Sequence, residues 1–359
     1  MTEIRAAVCR EFGKPLSIET VNLAAPEGRS VEVTLEACAI CHSDISYADG
    51  IWGGTLPAVF GHEAAGRITQ AGPQVQGFGV GDKVIVTLIR SCGTCAPCAT
   101  GRPTGCQTPN GPAPLTTSEG SPLNAAMYCG AFAEKVVVDQ SQIVKVPEDM
   151  PADVASLLSC GVITGVGAVV NAAGLRPGQD AVVIGAGGVG LNAIQGARIA
   201  GARRIVAVDM SEEKLDDARS FGATDGILAT DPAPWDRLQE LIGRKADTVF
   251  VTVGVIPAYN SAPNYIAPGG KIVMVGMPAT GAASSYEPDM FASLGQGMIG
   301  SKMGDVVLSR DIPWLIDLYQ QGRLKLDELI SNRWPLDQIN EAIADTKSGA
   351  ARRNVILLG

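Results

Sequence analysis

The residues best equipped for chemistry in this sequence are nine cysteines and two histidines, and they are not scattered. Four cysteines lie in SCGTCAPCATGRPTGC, at Cys92, Cys95, Cys98 and Cys106, with the spacing C-x2-C-x2-C-x7-C. Four thiolates this close can wrap one tetrahedral Zn²⁺ and leave no open position, which is the donor set of a structural zinc. The spacing also fits an iron–sulfur run, but no Cys-Pro follows after a three-residue gap. Paired disulfides are the weakest reading, since clustered cysteines in a reducing compartment more often bind metal. A second concentration is ACAICHSDISY at 37–47, where Cys41, His42, Ser43 and Asp44 are consecutive. Cys38 and Cys41 alone also fit a C-x-x-C redox pair or two small buried hydrophobes. The other histidine, His62, stands in GHE, and Cys160 stands in LLSCGVITG. Each of these is uninformative on its own.

A third stretch suits a phosphate. In AVVIGAGGVG, Gly185, Gly187 and Gly190 form G-x-G-x-x-G, with Gly188 and Val189 inside it. The pattern follows an apolar strand and opens a helix, and Asp209 ends the next apolar run, RIVAVD. That context is what a Rossmann fingerprint requires. The first two glycines allow a tight turn and close approach of a pyrophosphate, the third lets helix and strand pack, and the helix N-terminus offers N–H groups. Asp209 is expected to accept the adenosine ribose hydroxyls and repel a 2′-phosphate, which favours NAD over NADP. The bland alternative is a glycine-rich turn without a ligand.

These residues need elements to hold them. Up to about residue 160, short apolar runs (SVEVTLEAC, GRITQAG, DKVIVTLI, AEKVVV) are punctuated by Gly, Pro and Asp, as in a β-rich domain with many turns. From about 176, buried-type strands (AVVIG, RIVAVD, GILA, DTVFVTVG, KIVMVG) alternate with helical stretches such as SEEKLDDARSFGA, which predicts βαβ units and a parallel sheet. After about 300, amphipathic segments and a closing strand, NVILLG, follow. A chain of 359 residues suits two domains. The stretch 101–125 reads as a long polar loop. With a net charge of −9 and no Lys/Arg run, nucleic acid and anionic membrane are poor partners. No apolar run reaches the roughly 18 residues of a membrane span. The N-terminus, MTEIRAAVCREFGK, carries charges throughout and shows no apolar leader, so the cytoplasm is the expected compartment.

CHSD (41–44), GHE (61–63), the four-cysteine lobe, LLSCGVITG (157–165) and GAGGVG (185–190) occur in that order over nearly the whole chain. Together they resemble the zinc-dependent alcohol dehydrogenases of the medium-chain dehydrogenase/reductase superfamily, nearest the long-chain branch that includes the class III enzymes. The resemblance implies an α/β chain: a GroES-like β-rich catalytic domain plus a Rossmann doubly wound parallel sheet. The domains would be 1–160 with a metal lobe at about 91–107, 161–299 for NAD, and 300–359 returning to the catalytic domain. It implies two zinc ions per subunit, one structural in the lobe and one catalytic on Cys41, His62 and Cys160 with a fourth position open. Polyol-type relatives commonly carry Glu at the place of Cys160, and zinc-free quinone reductases lack the ligands, so both are disfavoured. Asp44 is implied to hydrogen-bond the second nitrogen of His62, and Glu63 to assist ligand exchange. Solvated loop carboxylates are the alternative for both.

The resemblance also implies a route for the alcohol proton. Ser43 would take it, since a hydroxyl both donates and accepts, and pass it through the nicotinamide ribose. In the best-known members a histidine five residues after the first zinc ligand ends that chain. Here the position is Ser46, which cannot store a proton near neutral pH, so the relay is expected to leave through Ser46 and water. By the same resemblance His42 faces the pyrophosphate, Thr164 and Val189 the nicotinamide, and Lys214 the adenosine ribose. Arg353 reaches the pyrophosphate, with Arg352 as the alternative register. Trp52, Leu88 and Tyr128, with Met127, would line a pocket for an apolar or aromatic alcohol of moderate size; core packing is the alternative for each. The reaction implied is hydride exchange between a primary alcohol or its aldehyde and NAD. A dehydrogenase of S-hydroxymethyl thiol adducts of formaldehyde and a secondary-alcohol dehydrogenase are the alternatives, and a non-catalytic zinc- and dinucleotide-binding protein is the remote one. A homodimer through Rossmann sheet edges is expected, with 295–304 as the edge, and a homotetramer is the other form.

Overall fold

The longest apolar run of the N-terminal half, Ser30–Ala39, organises a seven-stranded sheet. Glu63–Ala71 and Lys135–Asp139 pair antiparallel along it, and Arg353–Leu357 from the far end of the chain pairs with Ala37–Ala39. The computed structural model describes residues 1–109 and 111–358. Its barrel unit comprises Met1–Cys160, Val307–Gly322 and the residues from Leu326 onward; its second unit comprises Gly161–Val306 with Arg323–Lys325.

Beside the seven-stranded sheet, the strands Thr2–Cys9, Ser17–Leu23, Leu115–Thr117, Pro122–Ala125 and Ala58–Val59 close into a barrel. Two of these fall in the stretch read from sequence as a polar loop, of which Asn110 lies outside the described residues. Leu115, Thr117, Leu123 and Ala125 turn into the core. Strands of three and four residues are too short for a periodic signal; only pairing reveals them, of Leu115–Thr117 with Ser17–Leu23 and of Pro122–Ala125 with Leu115–Thr117 and Ala58–Val59.

The second unit holds six parallel strands in the order Asp225–Leu228, Arg204–Asp209, Asp180–Ile184, Ala246–Val251, Ile266–Met274 and Gly297–Gly300. Asp180–Ile184 is buried at every position, as a strand covered on both faces must be. The unit extends past residue 299, where the sequence reading ended it. Met303, Gly304 and Asp305 follow one another at positive φ, 53°, 67° and 48°, which is strained for the two that carry a Cβ. A Cβ on Gly304 would stand 2.1 Å from the Ile163 carbonyl oxygen, and Asn171 Nδ2 donates to the Gly304 oxygen at 3.1 Å. That clasp keeps this segment with the parallel sheet.

At the amino end of the sheet the buried Asp180 accepts from Arg203 Nε at 2.9 Å, Arg203 Nη2 at 2.6 Å and Arg244 Nε at 2.6 Å. Burial alone would push its pKa up; the two guanidinium groups outweigh it and hold the carboxyl below its ordinary value. A depressed pKa stabilises the fold above the unfolded value, near 4, and that contribution is lost as pH falls through the folded value. Asp180→Asn is therefore expected to cost about 2 kcal/mol at pH 7. The difference in melting temperature should shrink toward pH 3. A variant that melts with the wild type at pH 7 would show the network contributes nothing. Among the described residues no single helix is long and apolar enough to cross a membrane.

Candidate metal centre and dinucleotide site

In the barrel unit one carboxylate fixes two of the metal-type residues. Cys41 precedes the helix His42–Ala48. Asp44, in the first turn and 1% exposed, accepts from the Cys41 N–H through Oδ2 at 3.0 Å. Its Oδ1 accepts from the Gly61 N–H at 2.8 Å and meets His62 Nδ1 at 3.0 Å. The ring is thus held with Nε2 turned to the other side, where it is buried without a hydrogen-bond partner. Cys160 arrives on the turn after Leu157–Ser159, which Ser159 Oγ pins to the Ala64 oxygen at 3.1 Å.

One ligand atom each from Cys41, His62, Glu63 and Cys160 lies within 4.8 Å of all the others, and all four residues are buried. The Cys160 thiol beside it holds Cys41 well below the usual thiol range, while the same contact holds Cys160 above it. Burial works against charge on His62, but the Asp44 carboxylate outweighs it and raises the pKa. Burial pushes the Glu63 carboxyl up to about 8, against the pull of Arg353. Two sulfurs, an imidazole nitrogen with no partner and a carboxylate with no hydrogen bond form a donor set that fits a divalent, borderline-soft cation.

Arg353, expected at the pyrophosphate, also stands beside the metal-type group. Nearly buried, it donates through Nη1 to the Ile40 oxygen at 3.2 Å, and its Nη2 lies 3.3 Å from Glu63 Oε1. Sequence reasoning missed this contact, because residues 63 and 353 meet only once the last strand joins the sheet. Ser43 and Ser46 are half-buried and three apart on one helix, hence on one face, while His42 is exposed. Trp52 packs edge-on against Tyr47 at 5.1 Å, and Tyr47 stacks on Phe60 at 6.4 Å. Neither Tyr47 nor Phe60 was singled out from sequence, since their contact with each other and with Trp52 joins separate segments. Leu88 packs partly buried against the barrel core. Tyr128 is 54% exposed, and both it and Met127 have positive φ.

The lobe gathers its four cysteines as well. Cys92 and Cys98 sulfurs are 4.0 Å apart, and Cys95 and Cys106 sulfurs 3.9 Å. Four sulfurs at 2.3 Å from one tetrahedral zinc would be about 3.8 Å apart, so these spacings fit that ion. Cys92 accepts N–H groups from Thr94 at 3.4 Å and Cys95 at 3.3 Å. Such donors, with Thr108 first among them, bring its thiol down to about 5.

In the parallel-sheet unit, Gly185 closes the strand Asp180–Ile184 and Gly187 caps the helix Gly188–Ile199. A Cβ on Gly190 would stand 1.8 Å from the Gly185 oxygen, so only glycine lets helix and turn meet. At Gly187 a Cβ would meet nothing within 4 Å, leaving an open face before the free amides of Gly188 and Val189. Asp209 ends its strand, with Lys214 half-buried in the helix Glu212–Phe221. Thr164 is buried, its hydroxyl 3.7 Å from Met303 Sδ.

Residues 27–148 match the family described as alcohol dehydrogenase GroES-like domain, and residues 188–321 the family described as zinc-binding dehydrogenase. The NDMA-dependent alcohol dehydrogenase of Amycolatopsis methanolica is 34% identical, over 98% of this chain and 98% of that protein. The class-3 alcohol dehydrogenase of Myxine glutinosa is 35% identical, over 99% and 97%. The crystal structure of benzyl alcohol dehydrogenase from Acinetobacter calcoaceticus superposes with a TM-score of 0.94 at 30% identity, covering 100% of both chains.

Proposed function

Since the chain belongs to the zinc-dependent alcohol dehydrogenases of the medium-chain dehydrogenase/reductase superfamily, it exchanges hydride between alcohols or aldehydes and NAD, and we propose that its substrates are primary alcohols with an apolar or aromatic body. The observation that carries the assignment of residues is the buried group of Cys41, His62, Glu63 and Cys160 with the unpartnered His62 Nε2. Cys41, His62 and Cys160 would hold the catalytic zinc, which as a Lewis acid favours the deprotonated alcohol, and the four-cysteine lobe would hold the second ion. Bound NAD carries the redox step. Asp44 keeps His62 in the tautomer that presents Nε2. Ser43 would take the alcohol proton as its own hydroxyl proton passes on through the nicotinamide ribose, and the relay would leave through Ser46 and water. Arg353 holds Glu63 at the edge of the group.

The aromatic series Trp52, Tyr47 and Phe60 supports an aromatic or apolar substrate, as does the likeness to a benzyl alcohol dehydrogenase. The test is NADH production by zinc-replete protein against ethanol, long-chain and aromatic primary alcohols, secondary alcohols and a formaldehyde–thiol adduct, with NADP⁺ in parallel. Aromatic primary alcohols with NAD⁺ should give the highest kcat/KM. Preference for the thiol adduct would move the chain to the activity that the name S-(hydroxymethyl)glutathione dehydrogenase gives a Paracoccus denitrificans relative, 32% identical over 98% of this chain.

We also propose a homodimer joined at Gly297–Gly300, the outermost strand of the parallel sheet. Exposed Met277, Tyr286 and Met290 lie in the segments leading to it, and an open edge beside apolar surface is a template for a second copy. Light scattering that finds single chains at micromolar concentration would sink this assembly. Nine cysteines outside any disulfide support a reducing, cytoplasmic compartment.

A further inference from the structure

We propose that Asp209 positions the glycine turn as well as reading the adenosine ribose, so that one carboxylate couples cofactor choice to pyrophosphate binding. This rests on the NAD reading above and deepens it. The strand Arg204–Asp209 runs parallel to Asp180–Ile184 with Val208 beside Ile184, and the Gly185 N–H still donates to the Val208 oxygen at 2.8 Å. The backbone ladder ends there. Ala186, the next residue, is fully buried inside the turn and has no strand carbonyl for its own N–H. That N–H donates instead to Asp209 Oδ2 at 2.7 Å.

The carboxylate is oriented from its own side too, since Oδ1 accepts the Met210 N–H at 2.7 Å. On the opposite side of the turn, Thr252 Oγ1 donates to one of the Ile184 and Gly185 oxygens, 2.9 Å from each. The turn therefore hangs between Thr252 and Asp209. A buried N–H that loses its acceptor has no water to replace it, and bonds to a carboxylate are the stronger kind. Ala186 directly precedes Gly187, the cap of the helix whose first amides face a phosphate. Movement at 186 moves those amides. Each carboxylate oxygen accepts more than one hydrogen bond, so an oxygen that takes one amide still has capacity for a ribose hydroxyl. Removing this carboxylate to admit a 2′-phosphate would loosen the grip on the pyrophosphate at the same time.

The test is a ligand–variant cycle on the full-length protein, read by NADH fluorescence. Wild type and Asp209→Ala are titrated with NADH and with its analogue lacking the 2′ and 3′ hydroxyls of the adenosine ribose. The substitution is expected to weaken NADH by about a hundredfold and the analogue still by about tenfold. If Asp209 only reads the hydroxyls, the analogue binds both proteins equally, and that result overturns the proposal. Asp209→Leu, of similar size and with no acceptor, serves where the alanine variant does not fold. It should also bind the analogue more weakly than wild type, and equality there overturns the proposal as well. Wild type that binds neither ligand would instead sink the NAD reading from which the proposal starts.

Discussion

A Cys160→Ala variant is expected to lose about four orders of magnitude in kcat/KM with its best alcohol while binding NADH as the wild type does. Two sulfurs and one imidazole are the donor set proposed for the catalytic ion, and alanine takes a whole donor away. The carboxylate of Glu63 stands within the same group, but Arg353 and burial weigh on it from opposite sides. A zinc ion contributes several kcal/mol at an oxygen that gains charge, and each 1.36 kcal/mol is tenfold in rate. The glycine turn belongs to the other unit and keeps its own hydrogen bonds. Metal analysis supplies the decisive readout: zinc content should fall from two per chain to one. A variant that retains two zinc ions and full turnover would remove Cys160 from the site.

Ser43→Ala is the second large effect. A positioned proton acceptor contributes roughly 10²- to 10⁴-fold, so oxidation should slow by about 10³-fold, with little change in NADH affinity. Ser43→Thr keeps a hydroxyl on the same carbon and should restore most of the rate, which a loss through misfolding would not allow. The exit can be read separately. Ser46→His places an imidazole, with an ordinary pKa near 6.5, on the same helix face. Alcohol oxidation should then gain an inflection between about pH 6 and 7, rising as the imidazole loses its proton. An unchanged profile in this variant would count against proton exit at residue 46.

The sequence made the sites legible unevenly, and the reasons are physical. The four-cysteine lobe could be read because all its donors fall within fifteen consecutive positions, so geometry has little freedom. The glycine turn was legible because strand, turn and helix are local. Cys41, His62 and Cys160 took meaning only from a family resemblance, since 119 positions separate the first from the last. The link between Asp44 and His62 was expected, but the same carboxylate's hold on the Cys41 and Gly61 amides was not. A backbone donor leaves no trace in residue type. Arg353 was expected at a phosphate, and its contacts to Ile40 and Glu63 were hidden because they depend on where the last strand enters the sheet. The strands 115–117 and 122–125 were hidden for a similar reason, being defined by their partners rather than by their own pattern.

The lobe has one more consequence. In Ala96–Ala99 no residue is buried, and in Pro103–Gly105 only Thr104 is. With little apolar packing, its shape would rest on sulfur around an ion and on local backbone hydrogen bonds such as Arg102 N–H to the Pro97 oxygen at 2.8 Å, and such local bonds alone hold a short segment poorly once the ion is gone. Two exposed glycines, Gly93 and Gly101, then become hinges of an unfolded tongue, the sort of segment proteases cut first. Starved of zinc, the chain would be nicked at this tongue while its barrel and sheet stayed folded. The quantity of intact protein in a cell would thus follow the supply of the metal.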